Sequence, residues 1–199
     1  GDSIQAPIDL IKRGNIDCIA GPVAWLKSYP IVDSIKSVLN YGLGSYSGLG
    51  LFVMNRKAWD AYSDDQKRIM WKAMPGTIAR TVIDGYVGDD LISRQMAKKQ
   101  GIVISKTGPN MIKIWNDHKK GEVALAVKNA SKMKAKNPQS IADKFVRNVK
   151  KWEGIIAEAG LENAIANATP ERSSLAKASA IYKSLMIKHI YSKLDPTTL

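Results

Sequence analysis

Between Ser63 and Gly101 the sequence carries the start, the interior and the stop of one long helix, and no other stretch restricts the fold as strongly. Ser63-Asp64-Asp65-Gln66 is a capping box, in which the serine and glutamine side chains each satisfy a backbone N–H that the first turn leaves open. Asp64 and Asp65 place negative charge at the positive end of the helix dipole. Ile69, Met70, Ala73, Ile78, Val82 and Tyr86 keep the helical period toward Gln100, and Gly101 supplies the stop. Pro75-Gly76 interrupts the run. Proline lacks the N–H and crowds the preceding turn, so a kink or local break is expected there.

Upstream, Ile4, Ile8 and Ile11 fall at helical spacing ahead of Gly14-Asn15, which reads as a helix end. The short apolar run Ile16-Asp17-Cys18-Ile19-Ala20, closed by Gly21-Pro22, has the pattern of a buried strand opening into a loop. Trp25 and Tyr29 follow on that loop or on a short helix. A second strand pair is expected at Lys36–Leu39 and Gly50–Met54, on either side of a glycine-rich stretch from Tyr41 to Gly48, and Asn55 caps a helix over Arg56–Tyr62. Beyond Gly101, Ile102-Val103-Ile104 reads as a strand. Pro109 opens a helix with Met111, Ile114 and Trp115 on one side. From about Ser140 strands cease. Ile141, Phe145, Val149, Trp152 and Ile156 mark an amphipathic helix ending at Gly160. Thr169-Pro170-Glu171 announces a last helix carrying Leu175, Ala178, Tyr182, Leu185 and His189.

The chain bears a net charge of +12, but residues 1–93 hold 10 Lys and Arg against 10 Asp and Glu, while residues 94–199 hold 20 against 8. The excess lysines fall mostly on the polar faces of helices whose aromatics, Trp115, Phe145 and Trp152, occupy the apolar faces. That pattern describes a solvated surface with a core behind it, and neither a basic stripe interleaved with aromatics nor a nucleic-acid reading module is present. Cys18 is the one cysteine, so an intrachain disulfide and a multi-cysteine metal site are excluded, and its apolar neighbours suggest a buried position. His118 and His189 lie on separate helices, read as surface or interface residues without a ligating partner at i+4. The pairs Asp64-Asp65 and Asp89-Asp90 are adjacent on helices and point about 100° apart, which suits capping and solvation and not paired acid–base work. The glycine-rich stretch leads toward a strand, whereas a phosphate-cradling loop follows a strand and opens a helix. No catalytic residue, metal or cofactor is expected.

Five segments in chain order resemble the C-terminal part of the TRAP-transporter solute-binding family, the dicarboxylate-binding periplasmic proteins. They are Leu10-Ile-Lys-Arg-Gly-Asn-Ile-Asp17; Phe52-Val-Met-Asn55 with Ala58-Trp59; Ser63-Asp-Asp-Gln66; Lys150-Lys-Trp152 with Ala159-Gly160-Leu161; and Ile190-Tyr-Ser-Lys-Leu-Asp-Pro196. The resemblance implies an α/β, periplasmic-binding-protein-like fold of two lobes joined by crossing strands and a long helix, with C-terminal helices packed across them. On that reading residues 1–62 form a ligand-cleft segment with a crossing strand. Residues 63–137 form the long helix with a returning strand and helix, and 138–199 the C-terminal helices.

The implied function is capture of a small organic acid in the periplasm and its delivery to TRAP permease subunits in the membrane, without catalysis. The alternative is a basic α/β nucleic-acid-binding or scaffold protein. In the family an arginine pairs with the ligand carboxylate in bidentate fashion. The resemblance places that arginine upstream of Gly1, so most of the N-terminal lobe and a secretory signal are expected to precede this chain. Residues 1–199 alone are then expected to bind an organic acid weakly. Gly21 stands where many members carry an asparagine that contacts the carboxylate. This leaves Pro22, Trp25 and Tyr29, with Tyr46 from the glycine-rich stretch, as the candidate ligand-binding residues beside Gly21.

Overall fold

The computed structural model describes residues 5–42, 44 and 52–199. The described residues are mostly helical and include a small two-stranded parallel sheet, an α/β mixture in the broad sense. The described residues fall into two units. One takes the chain up to Val38, from Gly42 to Ile104 and from Asn163 to Leu199; the other takes Leu39–Tyr41 and Ser105–Glu162.

In the first unit, helix α1 (Gln5–Lys12) turns its Ile8 fully inward, and Gly14 ends it in the left-handed region at φ 70°. The next residues do not form the expected strand. Ile16–Ala20 has no strand alongside it among the described residues, and only Ile19 packs against the core. A strand exists through its ladder, so an apolar run without a neighbour stays irregular. Cys18 is exposed as a result, contrary to the buried position its neighbours suggested. Helix α2 (Trp25–Ser28) follows, then a short 3-10 turn at Val32–Ser34 and strand β1 (Ser37–Asn40).

Helix α3 (Arg56–Asp60) is capped by Asn55, whose side-chain oxygen accepts the Lys57 N–H at 2.9 Å. Of the expected strand over Gly50–Met54, Gly50 and Leu51 lie outside the described residues, and Phe52, Val53 and Met54 are not in a strand. Helix α4 (Asp64–Ala79) starts on the full capping box: Ser63 Oγ accepts from Gln66 N–H at 3.3 Å, and Gln66 Oε1 accepts from Ser63 N–H at 2.9 Å.

Pro75 sits inside α4 with its ring fully buried, and the helix continues through it to Ala79. The departure from α geometry comes one turn later, as a π-helical segment over Arg80–Val87 that leads into helix α5 (Gly88–Lys99). Gly101, at φ 68°, ends α5 as expected, and strand β2 (Val103–Lys106) then pairs with β1, Val103 N–H donating to the Lys36 carbonyl at 3.2 Å. A core of Ile8, Leu26, Ile31, Ala97 and Ile102 joins α1, α2 and α5 to the start of β2.

After the short helix α8 (Leu161–Ala166), the last long helix is α9 (Ala176–His189), packed along α4. Thr169-Pro170-Glu171 does not cap α9 directly. The Ser174 hydroxyl instead ties this loop, donating toward the Thr169 and Glu171 carbonyls and accepting the Thr169 N–H, and a 3-10 turn at Arg172–Leu175 intervenes. Trp71 Nε1–H donates to the Tyr191 carbonyl at 3.0 Å, and the two rings meet at 4.4 Å, which fixes the chain after α9 onto α4.

The second unit is a hairpin of helices α6 (Pro109–Lys132) and α7 (Pro138–Glu158). Its half-buried positions include Val127 and Ala130 on α6 and Ala142 and Val146 on α7. The apolar stripe read as core-facing is covered only in part: Trp115, Trp152 and Ile156 are half-buried, while Ile141 is 61% and Phe145 64% exposed, and Met111, Ile114 and Val149 are exposed too. Small side chains draw two helices together more closely than large ones, and two helices alone cannot cover a stripe that points elsewhere.

Candidate functional site

Three of the five candidate residues, Gly21, Trp25 and Tyr29, meet at one corner of the first unit. Pro22 accepts the Trp25 N–H through its carbonyl at 3.0 Å, which starts the turn into α2, and Tyr29 N–H closes it on the Trp25 carbonyl at 3.0 Å. Gly21 lies directly under the Trp25 indole: a Cβ built there would come within 2.4 Å of both Cε3 and Cζ3. The Trp25 and Tyr29 rings meet edge to face with centroids 5.7 Å apart, an arrangement aromatic quadrupoles favour. Both rings are half-buried and rest on the core of Ile8, Leu26 and Ile31, while Gly21 and Pro22 are exposed. Tyr46 lies outside the described residues.

Helix α2 is short and depends on α5 for its position. Ser93, fully buried on α5, donates its hydroxyl to the Ala24 carbonyl at 3.3 Å, and Asp89 accepts from Lys27 and, at 3.4 Å, from the Ser28 hydroxyl. Asp89 therefore does more than solvate its helix: its carboxylate pins α2 across sequence. Asp90 turns to Arg94 one turn on, at 2.6 Å. With Lys27 engaged by Asp89, the corner presents aromatic edges and backbone.

His118 has a carboxylate at i+4 that the sequence reading overlooked: its Nε2 is 3.3 Å from Glu122, and its ring stacks on Trp115 at 5.3 Å. The pair is exposed, and no group of three or more His, Cys, Asp and Glu able to hold a metal occurs among the described residues. Lys113, and then Lys120, hold the Asp117 carboxyl below its ordinary range, while the Thr197 N–H and hydroxyl do the same for Asp195. Burial pushes the phenols of Tyr182 and Tyr191 up, and for Tyr191 the charge of Tyr182 adds to the effect. No helix among the described residues is long and apolar enough to cross a membrane.

One cleft was not foreseen from sequence. A space of about 480 Å³ opens along α4, the π segment and α9, and Arg80, Asp84, Arg172, Lys183, Thr77 and Ser179 supply its polar lining. These residues come from segments almost a hundred positions apart, and the visible signals were Pro75-Gly76, which disturbs the helix, and the alanine-rich turns of α9.

Comparison of the chain with protein-family models, with curated proteins and with solved structures finds no match.

Proposed function

We propose that this chain is a non-catalytic binding protein for a small organic anion, belonging with the periplasmic solute-binding proteins of TRAP transporters and handing its ligand to a membrane permease. On this proposal the α/β elements belong to a two-lobed binding-protein fold. The five ordered segments support the reading, and so does the way some of them fold locally, with Asn55 and Ser63-Gln66 acting as helix caps.

The observation that carries it is the corner at Gly21–Tyr29. Residues nominated as a cleft wall come together on the surface of a unit, with Pro22 exposed and two aromatic rings braced by a core, on a helix anchored by Ser93 and Asp89. Such a wall excludes water from one side of a ligand while its backbone offers hydrogen bonds, which suits binding and gives no acid, base or nucleophile.

Calorimetric titration of the chain with short dicarboxylates at millimolar concentration tests the proposal. Trp25→Ala is expected to weaken binding more than it lowers the melting temperature. Binding untouched by Trp25→Ala would remove the corner from the site. Affinity for DNA that falls steeply with salt, in the absence of any carboxylate binding, would favour the nucleic-acid alternative.

A further inference from the structure

We propose that the cleft formed by α4, the π segment and α9 is a binding site for a compact divalent oxyanion, held by Arg80, Arg172 and Lys183. It stands on different residues from the corner at Gly21–Tyr29 and does not depend on that reading.

The first support is an ion pair that does not form. Four pairs spaced i,i+4 close on ordinary helix turns of this chain: Arg56 with Asp60, Asp90 with Arg94, Lys113 with Asp117, and His118 with Glu122. Arg80 and Asp84 have the same spacing, yet no ion pair joins them. They sit on the π segment, and no carboxylate among the described residues lies within ion-pair distance of the Arg80 guanidinium. Arg80 instead lines the cleft. π turns within helices recur at functional sites.

The second support is charge. Arg80, Arg172 and Lys183 line the cleft with one carboxylate, Asp84, and none of the four takes part in an ion pair among the described residues. Two guanidinium forks match a planar oxyanion in bidentate geometry, and the lysine adds a point charge. The net lining charge of about +2 is balanced by a dianion.

The third is shape. Ala73, Gly76, Ala79, Ala176 and Ala180 give the cleft a floor of small side chains, and the Lys183 stem runs along it, with Cε 3.9 Å from where a Cβ on Gly76 would sit. About 480 Å³ lies within the range of small-molecule sites. The Ser179 hydroxyl lines the wall, while the Thr77 hydroxyl is held by the Ala73 carbonyl at 3.3 Å. A dicarboxylate and a phosphate group share this chemistry.

Calorimetry of the whole chain at low ionic strength, with succinate, inorganic phosphate and acetate as separate probes, distinguishes the sources. Binding of succinate alone identifies a dicarboxylate site, and binding of phosphate alone identifies a phosphoryl site; either supports the proposal. Arg80→Gln and Arg172→Gln are exposed substitutions that leave the core intact, and each is expected to reduce the affinity about tenfold to a hundredfold. Lys113→Gln, an exposed lysine outside both the cleft and the corner, is expected to leave this affinity unchanged, which separates the cleft from general positive charge. The proposal is overturned if neither dianion binds, if acetate binds as tightly as the dianions, or if both arginine variants bind like the parent.

Discussion

Replacing Gly21 by alanine places one methyl group where the Trp25 ring already lies. The added carbon would sit 2.4 Å from Cε3 and Cζ3 and 2.9 Å from Cη2 of the indole, inside the distance any carbon pair tolerates. Backbone strain does not contribute, because the left-handed glycines described are Gly14, Gly44, Gly101 and Gly160. The ring must therefore move. Moving it loosens the edge contact with Tyr29 and the seat on the core of Ile8, Leu26 and Ile31. Overpacking of this kind costs about 1–3 kcal/mol. At about 2–4 °C per kcal/mol for a chain of this size, the melting temperature should fall by roughly 2–12 °C. Urea unfolding followed by circular dichroism measures the loss, and a double-mutant cycle locates it. With Trp25 replaced by alanine the clash is gone, and Gly21→Ala should become neutral or stabilising by up to about 1 kcal/mol through the unfolded chain. A penalty that persists without the indole would show that the glycine is needed for another reason. No penalty with the indole present would show that the two residues do not meet.

Ser63→Ala removes the hydroxyl that accepts the Gln66 N–H, and the loss of this cap should cost about 1 kcal/mol, seen as a lower urea midpoint at unchanged slope. Tyr182→Phe should flatten the alkaline loss of stability. Burial raises the Tyr182 phenol above its ordinary 10.0, so above about pH 10 the unfolded chain gives up this proton first and stability falls as pH rises. Thermal melts from about pH 9 to 11 should show the parent losing more than the variant, and equal slopes would mean that Tyr182 is not buried in solution.

The parts of this protein that its sequence determines are those settled within a few residues. Asn55 and the Ser63–Gln66 box cap their helices because each bond closes inside one turn, and Gly14 and Gly101 end helices because the left-handed region is open to glycine at no steric cost. The segments around Lys36–Leu39 and Ile102–Ile104 were legible as strands, but not as partners of each other, since the first was expected to pair with Gly50–Met54. Ile16–Ala20 has the same local character and is not a strand, since its pattern cannot say whether a neighbour will be there. The corner at Gly21–Tyr29 lies within one short segment, so its members were visible in sequence, but the fit of Gly21 under the Trp25 ring was not.

Tertiary structure alone decided the rest. Asp89 belongs to α2 as much as to its own helix, because the lysine and serine that it accepts from are far away in the chain. The i,i+4 rule pairs Arg80 with Asp84, yet no ion pair joins them on the π segment, whose presence the local pattern did not announce. Arg172 and Lys183 join Arg80 because α9 packs along α4, and packing between distant segments is a property of the whole apolar surface, which no local window of sequence contains.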